Sequence, residues 1–497
     1  MKQATLILLL AGLVVAESAN ILGIFVSQGR SQFILGERLL GELAKRGHNV
    51  TLLGKHVPEE KHENLHLIQV NMMKEDTVDL VSWETQNDFD HIKFMYDYWL
   101  QMTEGLFVEQ PVKDLINSNS TFDMVIFEAF GNEAAMGFAK HFNASLVVFN
   151  SLAMNEWCSN FIGNVRLPSI TPYSITQKTS TMTFYERLMN TLHFLYDMYH
   201  KEYVYFPRQQ TILKQNFGKE MDLYEVMTSP SFLLLNSHPL IAEPSLLTSA
   251  AVEIGGFHVS TRKLPNDIKK FLDDAKHGVV LISFGTNVNM ETFSNNTIES
   301  LLRAIQNLPQ RFIWKFDAAQ VNNKPDNLLV SKWLPQSDIL AHPNVVAFVS
   351  HSGLISITEA THHGVPLVVV PIFGDQHINA LRAVQKGIAV KIEISKLDGE
   401  TLVHGLQKIL NDNQYQKNVK KISKMFRDRS VHPMDLAVHT IEYVLKYNPD
   451  RYFRSPALDL SWFQLYLLDL VFVVILVIML LIKVLKRDVR NKKVKAS

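Results

Sequence analysis

Between Trp333 and Ala380 the chain reads WLPQSDILAHPNVVAFVSHSGLISITEATHHGVPLVVVPIFGDQHINA, and its polar residues are spaced to grip a phosphorylated ligand. "VVAFVS" predicts a buried strand, "HSG" a turn, and Leu354 to His362 a helix that Gly364 can end. Gly353 then stands at a helix start, where free backbone N–H groups on the positive end of the dipole bind phosphate. His351 beside it is an added donor, and Ser356 offers a hydroxyl one turn on. Glu359 is a carboxylate suited to paired ribose hydroxyls, while Asp375 and Gln376, after the next strand, can read sugar hydroxyls. Trp333 gives a flat apolar face for a base. Alone, His351 reads as a satisfied turn histidine and Trp333 as core; their joint spacing with Gly353, Glu359 and the Asp-Gln pair implies a nucleotide-sugar site.

Such a site needs strands that end beside it. "NILGIFV", "NVTLL", "LHLIQV", "DMVIFEA" and "SLVVFN" are short β-branched runs, and helical patterns separate several of them, as in Phe33 to Arg46 with Leu35, Leu39, Leu40 and Leu43. A second series runs through "GVVLISFG", "RFIWKF", "VVAFVS", "PLVVVP" and "IAVKIE". This alternation predicts an α/β chain with two doubly wound parallel-sheet domains facing a cleft, the place where ligands bind in open sheets. Residues 160–230 break the alternation and are rich in aromatics and Met, which suits either packing on the first domain or an apolar wall for a lipophilic ligand. The boundaries expected are 20–260 for the first domain, 261–277 for a linker, 278–430 for the second and 431–461 for helices returning toward the first.

The ends place the chain in a membrane. Residues 1–19 have a lone Lys2, an apolar run and small residues at Ala16 and Ala19, the layout of a cleaved secretory signal. Residues 462–482 are long and apolar enough to span the hydrocarbon, and the basic tail 483–497 belongs in the cytosol. The expectation is a type I single-pass protein with its bulk in the lumen. Lys493 and Lys495 resemble the di-lysine signals that hold membrane proteins in the endoplasmic reticulum. The 49 basic and 49 acidic residues leave no excess for a nucleic-acid partner. Cys158 is the single cysteine, so no internal disulfide forms; sequons stand at Asn49, Asn119, Asn143 and Asn295.

The Trp333 to Ala380 segment resembles the signature of the UDP-glycosyltransferase family in its animal, membrane-bound, glucuronosyl/glucosyl form. The likeness extends to "VVLISFGTNV", "VEIGGFHV", "MTFYERLMN" and the C-terminal anchor, covering residues 20 to 497. It implies a GT-B fold in which the first domain takes a small lipophilic acceptor and the second takes the UDP-sugar. Transfer of the hexosyl group then inverts the anomeric carbon, with no metal and no cofactor beyond the UDP-sugar co-substrate. Carried over, Trp333 stacks on uracil and Gln336 contacts the nucleoside. His351, Gly353 and Ser356 hold the diphosphate with Ser283, Gly285 and Thr286 from "SFGT"; Glu359 holds the ribose, and Asp375 with Gln376 the sugar, glucose-like by the hydroxyls the pair fits. Two departures sit inside the segment: Ser352 replaces a family glycine, a mild change if the turn needs no positive φ, and Ile355 replaces a small polar residue while keeping its N–H.

A third departure bears on the chemistry. An acceptor hydroxyl must lose its proton in the transition state. In the family a histidine in a pattern like "SHFILG" takes it, oriented by a carboxylate after a later strand. Here the match reads "SQFILG", with Gln32 in the histidine's place and Glu128, in "FDMVIFEAF", in the aspartate's. An amide cannot carry a proton away near neutrality, and the next histidine, His48, lies about 16 residues on, roughly 24 Å along a helix. Three readings stay open: Glu128 as base, directly or through water; an acceptor that needs little deprotonation, with Gln32 positioning it; or a non-catalytic relative that binds lipophilic ligands or partners active members of the family. Membrane tethering also makes homo- or hetero-oligomers an open expectation.

Overall fold

Runs rich in Val, Ile and Leu that are hydrophobic on both faces pair as central strands of sheets covered on both sides. In a computed structural model describing residues 18–72, 87–285, 293–317, 321, 324–449 and 452–496, they do so twice. The predicted secretory signal up to residue 17 lies outside the described residues, as does Thr286. In the first domain β1 (Asn20–Phe25), β2 (Asn49–Gly54), β3 (Leu65–Gln69), β4 (Met124–Glu128), β5 (Ser145–Asn150), β6 (Phe232–Leu235) and β7 (Ala251–Glu253) form one sheet in the order β3-β2-β1-β4-β5-β6-β7. In the second, β8 (Val279–Ser283), β9 (Arg311–Lys315), β10 (Leu328–Ser331), β11 (Val345–Ser350), β12 (Leu367–Val369) and β13 (Ala389–Lys391) take the order β10-β9-β8-β11-β12-β13. The strand pairs in both sheets are parallel.

Strand order reverses between β1 and β4 in one sheet and between β8 and β11 in the other. Loops diverge at such switch points and leave a crevice beyond the strand ends. Gln32 follows β1 in the first turn of α1 (Arg30–Lys45), and Glu128 ends β4. Gly285 follows β8, and His351 follows β11 just before α6 (Leu354–His363); α7 (Gln376–Gln385) opens after β12. The site residues thus gather at two opposed crevices.

Helices cover both sheets. In the first domain α2 (Asp88–Val108) and α4 (Phe206–Phe217) pack one face. On the other, Leu35, Leu39, Leu40 and Leu43 of α1 share a cluster with Ala437, Val438, Ile441 and Val444 of α8 (Pro433–Tyr447). The C-terminal segment therefore straps back across the first domain, reinforced by the 2.7 Å Arg46–Asp435 ion pair.

Two boundaries differ from expectation. The charged stretch read as a linker contains helix α5 (Asn266–Asp273), whose Ile268 and Leu272 enter the core of the second domain; alternating Lys and Asp form only its outer face. The membrane helix α9 runs Leu468–Ala496, because Leu467 adopts φ +55° and separates it from a short turn at Trp462–Leu465. Its Leu468–Arg487 portion is, among the described residues, the one helix long and apolar enough to cross a membrane. Residues 160–230 pack on the first domain as expected, through Phe161, Tyr173, Tyr205, Phe206 and Leu213, and Ile170 to Ile175 line the cavity, but within the segment α3 (Phe184–His200) is turned the other way. Polar Asn190, His193, Asp197 and His200 face the first domain, leaving most of its large apolar residues outside, away from the cavity.

Truncating a buried side chain leaves a cavity that costs about 2–5 kcal/mol. Ile441 is fully buried between α8 and the first domain, so Ile441→Ala should lower the thermal unfolding midpoint of the full chain in detergent. An unchanged midpoint would show that the strap adds no stability.

Candidate active site

The two crevices meet in one cavity of about 960 Å³. Among the donor residues expected from sequence, Gly285, Trp333, Gln336, His351, Gly353, Ser356, Glu359, Asp375 and Gln376 line it. Ser283 does not; its hydroxyl is buried without a partner on the strand behind His351. The backbone explains the two glycines. A Cβ on Gly285 would meet the His351 ring at 2.8 Å, and one on Gly353 at 2.6 Å, so the imidazole fits only between residues without side chains. Burial with Lys315 nearby pushes His351 down to about 4, leaving it neutral.

Gln336 donates to Glu359 Oε2 at 2.6 Å and to Ser356 Oγ at 3.1 Å, setting the carboxylate before any ribose arrives. Burial raises Glu359 to about 7, with the Gln336 hydrogen bond opposing the shift. Gln376 accepts from the N–H of Ile372 at 2.9 Å and of Phe373 at 3.2 Å, which spends its carbonyl on the loop and leaves its amide nitrogen as the recognition group. Asp375 accepts from Asn379 at 2.7 Å. Each of these residues therefore has a structural task as well.

Both departures in the signature change meaning in three dimensions. Ser352 sits at φ +63°, the left-handed region that costs a non-glycine residue about 1–2 kcal/mol, so the turn does require positive φ. Its hydroxyl donates to the Gln376 carbonyl at 2.9 Å and so ties the two ligand loops together. Ile355 packs against the cluster of the first domain beneath α1, an apolar contact across the cleft.

On the acceptor side Gln32 lines the cavity, whereas Glu128 is 1% exposed and lies behind the wall. Neither Glu128 carboxyl oxygen makes a hydrogen bond, so Gln32 and Glu128 do not form the pair expected of a base and its orienting carboxylate, and direct contact with an acceptor is excluded. Burial pushes Glu128 up to about 7; the Ser27 and Ser151 groups flank it beyond hydrogen-bond contact and temper the rise. Ser151 also lines the cavity. The wall histidines, His258 and His351, are held down to about 3 and about 4 by burial, too low for a useful base at neutrality.

Two cations escaped the sequence reading. Lys315 ends β9, where ligands bind in a parallel sheet, and that position was the available signal. It bonds the Gly285 carbonyl at 3.1 Å and lies 4.8 Å from the Trp333 ring centroid. Arg30, from "QGRSQ" in the first domain, reaches the same ring at 4.8 Å. Among the described residues no group of three His, Cys, Asp or Glu is arranged to hold a metal ion.

Two facing parallel-sheet domains with an uncharged base platform, a phosphate-binding turn and sugar-reading polar groups define a GT-B glycosyltransferase. The glycosyltransferase VinC, solved in complex with dTDP, shares the fold at TM-score 0.60 and 16% identity, over 86% of this chain and 99% of that one. CalG4, the calicheamicin glycosyltransferase, does so at 0.58 and 17%, over 87% and 100%. Residues 14–495 match the family described as UDP-glucoronosyl and UDP-glucosyl transferase, and the chain belongs to it. It is 32% identical over 483 residues to UDP-glucosyltransferase 2 of Dactylopius coccus, covering 95% of this chain and 93% of that protein. It is 30% identical over 463 residues to UDP-glucuronosyltransferase 2B1 of Rattus norvegicus, covering 87% and 86%. The chain is a UDP-glycosyltransferase, using a UDP-sugar as donor.

A carboxyl raised to about 7 when folded holds its proton more tightly than the unfolded chain, whose value is near 4.5. Stability is therefore lost as pH rises from the unfolded value through the folded one, on the order of 3 kcal/mol for such a shift. Glu128→Gln should raise the melting temperature at pH 8 and change it little at pH 4. Equal effects at both pH values would mean that Glu128 is not held protonated.

Proposed function

We propose that the chain transfers a hexosyl group, glucose in the first instance, from UDP to a small lipophilic acceptor, with inversion and without a metal, and that Glu128 receives the acceptor proton through a water. The observation that carries this reading is the unpaired Glu128 carboxyl, near 7, behind a cavity wall that includes Gln32 and Ser151. In the transfer the acceptor oxygen bonds the anomeric carbon as the bond from that carbon to the diphosphate breaks, its electron pair leaving with UDP. The acceptor proton passes through a water to Glu128. Gln32 holds the acceptor oxygen through its amide.

Charge on the departing diphosphate is met by the N–H groups opening α6 and by Lys315, a set of donors that supports metal-free chemistry. Asp375 favours a sugar with hydroxyls over a sugar acid, because a carboxylate there would meet a like charge. The apolar helix followed by cations supports a lumenal orientation, and Lys493 with Lys495 supports residence in the endoplasmic reticulum.

The detergent-solubilised chain, UDP-glucose and a panel of phenols, alcohols and thiols test this reading. Wild type should show kcat/KM falling below pH 7 as Glu128 gains its proton, and Glu128→Gln should remove that limb with a rate loss of about 10²–10⁴. Turnover that persists in Glu128→Gln with its pH profile intact would sink the relay; a silent wild type awakened by Gln32→His would mean that the donor site outlived the chemistry. Lys315→Met should weaken UDP binding roughly ten- to hundredfold by calorimetry, and unchanged affinity would remove Lys315 from the diphosphate.

A further inference from the structure

Helix α3 is amphipathic the wrong way round for water. Phe184, Leu188, Leu192, Leu195, Tyr199 and Tyr203 recur at spacings of three and four along one side through the adjoining turn, and all are exposed, Phe184 to 76% and Tyr203 to 70%. The inward side is polar and bonded. Asn190 donates to the carbonyls of Pro168 and Thr171 at 2.7 and 2.8 Å, and accepts from the Tyr173 N–H at 2.8 Å. Asp197 accepts from Tyr96 and Tyr173 and pairs with Lys201 at 3.1 Å. Contiguous apolar surface of this kind marks an interaction site.

Its surroundings identify the occupant. Tyr466, two residues before α9, donates to the Arg166 carbonyl at 2.9 Å, and Leu458 and Ser455 approach Gly163 so closely that a Cβ there would meet them at 2.8 and 2.9 Å. Loop 166–175 is thus held on one side by the foot of the membrane helix and on the other by Asn190 of α3. Tyr199 and Tyr203 along the apolar side match the amphipathic aromatics that settle at headgroup level. The acidic residues of the helix are engaged: Glu186 caps it through Thr183, and Glu202 bonds Tyr224. The same loop reaches the cavity, for Ile170, Thr171, Pro172 and Tyr173 line it, and Ile170 is exposed as well.

We propose that α3 lies in the bilayer interface with its apolar side in lipid, and that loop 166–175 is the membrane-side mouth through which lipophilic acceptors reach the cavity. The second half rests on the transferase reading; the first does not. A helix embedded in this way needs no apolar partner protein, since burial in the acyl boundary removes the stripe from water.

The full chain in nanodiscs tests it. Cys158, buried with its thiol pushed up to about 11, leaves introduced cysteines to be labelled alone. A fluorophore on Leu192→Cys should be strongly quenched by lipids brominated on the acyl chain, while one on Arg303→Cys, exposed on the second domain, should not. Equal quenching at both sites, or none at Leu192, overturns the docking; cross-links between copies through Leu192→Cys without quenching assign the stripe to a second copy instead. For the mouth, Leu192→Lys with Leu195→Lys should raise the KM of a long-chain acceptor several-fold in nanodiscs and leave that of its water-soluble short homologue and of UDP-glucose unchanged. Quenching as expected with no KM difference would keep the docking and overturn the route, and this outcome remains distinct from a chain that fails to transfer sugar at all.

Discussion

Two parallel sheets that present their carboxyl ends to each other impose everything else in this molecule. At each switch point neighbouring loops diverge, so backbone N–H groups and strand-end side chains point into empty space and not into a neighbour. The first sheet contributes the turn before α1 and the end of β4; the second contributes the turns after β8, β11 and β12. Because both halves line the one cavity, interdomain contacts sit beside the candidate site. Arg30 and Trp333 meet there, and so does Ile355 with the cluster under α1.

The donor half was readable because its residues are consecutive in the chain and their backbone roles follow from local rules. Gly364 ends α6 at φ +73°, and Gly353 opens it, as turn and cap chemistry require. What sequence left out depends on distant packing. Lys315 acquires meaning only when β9 ends beside Trp333, and Ser352 looks harmless until its left-handed backbone is seen. Strands β6, β7 and β10 were passed over because three or four residues carry little periodic signal. Within the aromatic segment, which does supply core and cavity residues, helix α3 runs against the pattern: its buried side is the one with Asn190, His193 and Asp197. A polarity pattern reports which side differs, and only the fold says which side faces in.

Replacing a histidine by Gln32 shifts a burden onto its neighbours. A histidine at the cavity surface would hold a proton alone and return it to solvent. A glutamine can only orient, so on the proposed reading proton affinity comes from a group set deeper, and burial raises that of Glu128. Burial that raises the basicity of a carboxylate also removes it from contact with the cavity. Low dielectric strengthens each polar contact that forms and penalises each one that does not.

The strap formed by α8 has a further effect on how the molecule can move. Since α8 packs on the first domain and the segment leading to α9 bonds the Arg166 loop, the anchor is continuous with the acceptor half. On the proposed membrane reading, the first domain is the half tied to the anchor. Among the described residues the second domain carries no such tie through the strap or the Arg166 loop, so any relative movement of the two halves would fall to it.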